Sequence, residues 1–395
     1  MSSSKVNFDK SDYSEAIAWR HDFHAHPELA YKEHRTSELV AKRLKSFGLI
    51  VETGIGGTGV VATLQGRLGE GPTIGLRTEL DALPILENSG VPYSSTFEGC
   101  MHACGHDGHA AMLLDAARRL SAAPDFAGTI HFIFQPAEEN GGGAKAMLDD
   151  GFMDRFACDS FWAVHNWPGL PVGTVAARAG EMTAACDNFD IVIDGVGGHA
   201  GLPHLSIDPI AAGSQFITDL YAQLARRVNV VEGGLCSVTR FDAGSAYNVV
   251  PNQARLAGTV RALYEPARVL IENMLKKQAA ATELATGAKF DVNYEVCYPI
   301  SYNDAAAADI ALECGRALVG EENVVAGVAP TMGTEDFAYF LNEKPGCLIL
   351  LGQGEGEAPA KLHTPEYDFN DNLIPIGVQY WLTLVDQLLG AKNEK

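Results

Sequence analysis

Apolar residues at Ile17, Phe23, Leu39, Leu44 and Phe47 recur at helical spacing between residues 14 and 48, with Pro27 interrupting the run and Gly48 ending it. The pattern predicts a helix over 14–48, split in two at the proline, whose ring and missing N–H break the ladder. Short β-branched runs bounded by glycine follow. GVVATLQG (59–66) and TIGLRTEL (73–80) predict strands. AAMLLDAARRL (110–120) is helical by composition, GTIHFIFQP (128–136) reads as a strand, AKAMLDDG as a helix, and SFWAVHNWP (160–168) as another strand. This alternation predicts an α/β sheet covered by helices.

Near residue 183 the pattern changes. NFDIVIDGVGG alternates as a strand, DPIAAGSQFITDLYAQLARRV is a long helix, and two strands lie within LCSVTRFDAG and ARLAGTVRAL. The helix PARVLIENMLKKQAAATELATG and the strand KFDVNYEV complete a βαββαβ unit, the ferredoxin-like pattern. Residues 305–395 resume the α/β alternation of the first 182. The chain therefore reads as two domains: a discontinuous α/β domain (1–182 and 294–395) and an inserted ferredoxin-like domain (183–293).

Composition narrows the partners. The 395 residues carry 29 Lys plus Arg against 50 Asp plus Glu, a formal charge of −21. Nucleic acids and anionic membranes both require a basic footprint, so neither is an expected partner. No apolar run approaches the ~20 residues of a membrane span. The start, MSSSKVNFDKSDYSEA, lacks the apolar segment of a signal peptide, and a cytoplasmic location is expected. The 8 cysteines, at positions 100, 104, 158, 186, 236, 297, 314 and 347, are too scattered for a disulfide framework.

Candidate chemistry is densest in MHACGHDGHAA, which packs His102, Cys104, His106, Asp107 and His109 around two glycines that let a loop fold its side chains onto one point. A thiolate beside imidazoles suits Zn, Mn, Co or Ni. Taken alone, this could be a His-rich loop capping a helix. Two further strand ends carry ligand-type residues: Glu138 and Glu139 after GTIHFIFQP, and His165 in FWAVHNWP. Open α/β sheets place their ligands at such carboxyl ends. Three successive strand ends offering Cys/His, Glu/Glu and His describe a dinuclear metal site, with one glutamate free to act as a general base.

The sequence resembles the M20 metallopeptidases, specifically the amidohydrolase branch of hippurate hydrolases, N-acyl-amino-acid amidohydrolases and plant auxin-conjugate hydrolases. RHDFHAHPEL (20–29), MHACGHDGHAAM (101–112), FQPAEENGGGAKAML (134–148), HNWPGLPVGTV (165–175), GGHAGLPHLSIDPI (197–210), NVVPNQARLAGTVR (248–261), MGTEDFAYF (332–340) and LHTPEYDFND (362–371) follow its pattern in order. The resemblance implies a zinc-peptidase-like catalytic domain and two divalent ions (Mn, Zn, Ni or Co) on Cys104, His106, Glu139, His165 and His363, with Cys104 bridging. It implies Glu138 as catalytic base and His199 as the oxyanion-stabilising group. Asn248 and Arg261 are implied as substrate contacts, and a homodimer is implied through the inserted domain. The chain departs from the pattern at 78–81, where Thr78, Glu79, Leu80 and Asp81 replace the usual Ala-Asp-Met-Asp. Asp81 keeps an expected supporting role behind the ligands. Glu79 is one methylene longer than the usual residue and either reaches an ion or supports from behind. Trp167 and Phe337 are candidates to line an acyl pocket. The reaction implied is hydrolysis of the amide of an N-acyl-L-amino acid. The rivals are an aminopeptidase or dipeptidase and a non-catalytic metal-binding protein, which would have no use for Glu138.

Overall fold

The computed structural model describes residues 10–354 and 361–391. The leader-free reading of the N-terminus falls on residues 1–9, outside the described ones. The chain divides into two compact units, Met1–Gly180 with Tyr302–Ala329 and Asp336–Lys395, and Glu181–Ser301 with Pro330–Glu335. The return crossing falls at 301–302 rather than 293–294, because the strand Lys289–Tyr298 runs on through a bulge between Val296 and Tyr298.

In the larger unit, eight strands are ordered Ile50–Ile55, Gly59–Gln65, Thr129–Gln135, Thr73–Glu79, Ser160–Pro168, Gly346–Gly354, Val175–Ala177 and Val324–Ala326. The four central strands, from Thr129–Gln135 to Gly346–Gly354, are parallel. Their near-continuous apolar runs suit strands covered on both faces. Phe132, Phe134, Trp162 and Ile349 from the strands meet Met112, Leu113 and Trp381 from the helices in one core. The expected helix over 14–48 is two helices, Ser14–Ala25 and His34–Ser46, separated around Pro27. The helix read at 110–120 begins at His106 and ends at Ala122.

The smaller unit is an antiparallel sheet ordered Gly234–Ala243, Gln253–Ala262, Ala185–Asp194, Lys289–Tyr298, with helices Pro209–Arg227 and Glu265–Thr286. This is the ferredoxin-like arrangement. Asp208 caps the first helix by accepting from Ile210 N at 2.8 Å, with Pro209 at the first helical position. Phe189, Ile191 and Ile193 alternate inward against Phe216, Leu220, Ile271 and Leu275. Among the described residues no helix is long and apolar enough to cross a membrane.

Candidate metal centre

The parallel strands deliver their side chains to one edge. Thr73–Glu79 runs into Asp81, Thr129–Gln135 into Ala137, Glu138 and Glu139, and Ser160–Pro168 carries His165 near its end. The loop that closes on Gly105 carries Cys104 into the helix beginning at His106. His363 lies on the stretch that follows the strand Gly346–Gly354.

Two groups of donor atoms share one sulfur. Cys104, His106 and His165 place a ligand atom each within 4.8 Å of one another, and so do Cys104, Glu139 and His363. His165 Nε2 stands 3.5 Å from Cys104 Sγ while its Nδ1 lies 2.7 Å from the Asn166 carbonyl. His106 Nδ1 lies 2.9 Å from the Asp81 carbonyl, which assigns it the proton and leaves Nε2 as the open face. That buried Nε2 has no hydrogen-bond partner, with Glu138 Oε2 4.0 Å away. Glu139 Oε1 lies 3.2 Å from His363 Nε2, and its backbone N–H donates to Asp81 Oδ2 at 3.0 Å. Asp81 therefore steadies both His106 and Glu139.

Charge at the site is lopsided. Burial, then Glu139, Glu138 and Glu79, push the Cys104 thiol well above its ordinary value. Burial alone would lower His106, but the Asp81 hydrogen bond and the charges of Glu79, Asp81 and Glu139 raise it to about 10. His165 is pushed down to about 3 by burial and by His109, so it is a neutral imidazole. Glu79, Asp81 and Glu139 thus make the surroundings of Cys104 and His106 electronegative, which favours a cation there. The unpartnered His106 Nε2 and the mixed S, N and O donors fit divalent ions there.

Backbone strain marks the same place. Ala137 (φ 53°) and His363 (φ 63°) are left-handed without being glycine. Ala137 is held by Glu33, whose Oε1 accepts its N–H at 2.9 Å and whose Oε2 accepts Thr58 Oγ1 at 2.5 Å. Glu33 thus aims the turn that presents Glu138, a role the sequence reading missed because Glu33 falls just past a recognised motif.

Glu79 belongs to neither group that shares the sulfur; it forms a third donor group with His106 and His109. One carboxylate oxygen pairs with Arg77, and Oε2 lies 2.9 Å from His109 Nδ1. Asn166 N–H donates to His109 Nε2 at 2.9 Å. Glu79 therefore orients His109, whose ring meets His165 edge-on with centroids 4.6 Å apart. Behind it, Arg77 also donates to Gln135 and Asp336, each at 2.8 Å. Asn166, Tyr367 and Gln353 form a second buried network, with Asn166 Nδ2 donating at 2.6 Å to Gln353 and 2.8 Å to Tyr367. Sequence reasoning offered Glu79 as a support but did not find Arg77, Gln135, Gln353, Asn166, Tyr367 or Asp336 by chemistry, although Gln135, Asn166, Tyr367 and Asp336 lie inside the quoted motifs. His102 joins neither donor group; it is buried, with its pKa pushed down to about 4 by burial.

Other expected residues separate by unit. His199, Asn248 and Arg261 belong to the smaller unit. His199 pairs with Val249 across a two-residue ladder and, like Asn248, is exposed. Arg261 Nη1 is occupied within its own sheet, donating to Cys186 Sγ at 2.6 Å, to Thr259 and to the Val260 carbonyl. Phe337 is fully buried, packed near Phe340 and the Arg77 guanidinium, so it lines no open pocket. Trp167 is partly exposed, its ring centroid 6.3 Å from that of His165.

Comparison with known proteins agrees with this geometry. The family described as Peptidase family M20/M25/M40 matches residues 75–387. The chain is 38% identical over 365 residues to a hippurate hydrolase of Campylobacter jejuni, covering 92% of this chain and 94% of that protein. It is 35% identical over 378 residues to an N-acetylcysteine deacetylase of Bacillus subtilis, covering 95% and 97%. Among solved structures it resembles a Bacillus subtilis protein described as a dinuclear metal binding peptidase from the M20 family, with TM-score 0.81, 33% identity and coverage of 95% and 98%.

Proposed function

Because this chain belongs to the M20/M25/M40 peptidase family, we propose that it hydrolyses the amide bond of N-acyl-L-amino acids, releasing a carboxylic acid and a free amino acid. The observation that carries this reading is the pair of donor groups sharing Cys104, with Glu138 beside them. Cys104, His106 and His165 would hold one divalent cation, and Cys104, Glu139 and His363 the other. When bound, such cations supply Lewis acidity toward the amide carbonyl and toward water. Glu138 takes the proton from the attacking water on its carboxylate and returns it to the leaving nitrogen. Asp81 and the His109–Glu79 pair keep the imidazoles oriented, so that no ring has to reorganise during turnover.

His199 and Asn248 are the candidates for the substrate's oxyanion and carboxylate. Arg261 is a weaker one, since its Nη1 already donates within its own sheet. Trp167 is the candidate contact for the acyl group. The names of the hippurate hydrolase and the deacetylase support an N-acyl amino acid as substrate. Among the described residues the edge strand Gly234–Ala243 has a neighbouring strand on one side only, which supports a homodimer, to be tested by sedimentation. Among the described residues no disulfide joins the scattered cysteines, which supports a reducing, cytoplasmic setting.

The test is a Glu138→Gln variant with elemental analysis of the same preparation. It should keep both ions, whose identity among Zn, Mn, Ni and Co the analysis reads, and lose about 10²- to 10⁴-fold in kcat. Near-normal turnover would refute the base assignment. Wild-type enzyme that cleaves Gly-Phe but not hippurate would make the protein a dipeptidase.

A further inference from the structure

Arg20 lies in the RHDFHAHPEL segment, for which the proposed chemistry has no use. Its side chain is fully buried on the helix Ser14–Ala25, a costly position for a guanidinium unless carboxylates surround it. They come from two distant stretches of chain. Nε donates to Asp107 Oδ2 at 2.8 Å, and Asp107 directly follows His106. The opposite end of the fork pairs with Asp368 and lies 3.5 Å from Asp371. Both of these belong to the stretch that carries His363.

Neighbouring groups close this clamp. The guanidinium sits 4.7 Å from the Tyr93 ring centroid and 5.7 Å from that of Phe369. Tyr93 OH donates to Asp368 at 3.0 Å, and His21 Nε2 lies 2.8 Å from Asp371 Oδ2. His363 precedes Asp368 by five residues on that stretch. Its side chain is 50% exposed, its φ is 63°, and its N–H donates to the Ala103 carbonyl at 2.8 Å, one residue before Cys104. A planar fork holds its donors in fixed directions, so it sets the relative geometry of two carboxylate-bearing segments more firmly than a rotating ammonium does.

We propose that Arg20 is a positioning residue that clamps the segment carrying His363 to the segment carrying Cys104 and His106, and so sets the affinity of the Cys104–Glu139–His363 position for its cation. This rests on the two-cation reading above. Arg20 touches neither donor group itself, and its effect passes through Asp368 and Asp371.

The test opens the clamp from its outer side, where Asp368 and Asp371 are 32% and 24% exposed and their replacement leaves Arg20 paired with Asp107. Metal-free wild type and an Asp368→Asn/Asp371→Asn variant are titrated with Co2+, following the thiolate-to-cobalt charge-transfer band, with stoichiometry from elemental analysis. The wild type should take up two equivalents. The variant should bind the first with unchanged affinity and the second about 10- to 100-fold more weakly, at a Tm close to wild type. Arg20→Lys, which keeps the charge but not the fork, should weaken the same equivalent. Two equivalents at wild-type affinity in the double variant would overturn the assignment, as would equal weakening of both, which marks a general structural loss. A wild type that binds fewer than two ions would instead defeat the two-cation reading itself.

Discussion

Gly105 shows how tightly the centre is built. It occupies φ 96°, and a Cβ there would come within 2.3 Å of Asn166 Oδ1 and 2.7 Å of Tyr367 Oη. Both atoms belong to the buried network behind His165, so the methyl of Gly105→Ala has no flexible neighbour to displace. Backbone strain alone should cost about 1–3 kcal/mol, and the disrupted hydrogen bonds add to it. Urea unfolding of the metal-free protein would read the loss, and a variant as stable as wild type would contradict the packing described. The sequence showed that glycines let this loop fold onto a point. It could not show what fills the space, because Asn166 and Tyr367 come from other strands and loops. Glu79 is a similar case: its identity raised the question of whether it meets an ion, and its partners Arg77 and His109 come from the structure alone.

At the scale of elements, the first helix is the instructive one. Its apolar positions were legible as a period, yet it also buries Arg20 and His24. Their partners lie far along the chain: Asp107 is 87 residues from Arg20, and Asp371 is 351 away. No local pattern encodes such distances. Burial alone would lower the His24 pKa, but hydrogen bonds to Asp107 and Glu87 outweigh that and the neighbouring Arg20 charge, raising it from 6.5 to about 9. Tyr93 and His102 also lie near its ring, the latter with its own pKa pushed down to about 4 by burial. A raised folded-state pKa gives stability that is fully present below the unfolded value of 6.5 and is lost as pH rises through 9. The contribution is at most about 3 kcal/mol. Wild type should therefore lose stability between about pH 6.5 and pH 9.5 more steeply than His24→Gln, as measured by thermal unfolding. Parallel slopes would remove His24 from the account.

For the whole molecule, the alternation of strands and helices was enough to read two architectures and the inserted order of one within the other. The short strands Val175–Ala177 and Val324–Ala326 escaped notice, since three residues carry no period. All five candidate ligands lie in the larger unit, and this gives a spatial prediction. Adding Zn2+ to chelated protein at about 100 times Kd should stabilise that unit by ~2.7 kcal/mol per ion. Amide exchange should slow in residues 101–122, 136–139 and 361–367 and stay unchanged in the strands of the smaller unit. Equal slowing in both units would count against a centre confined to one of them.

Sharing a single sulfur between two donor groups also fixes how the centre would fail. The Cys104 side chain is the only donor common to both groups, so one oxidation to sulfenate, or one alkylation, removes a ligand from two positions at once. Its burial slows that attack, and an occupying cation would mask the lone pair that an oxidant needs. Inactivation by peroxide would then be a single-hit process whose rate is governed by how long the centre stands empty.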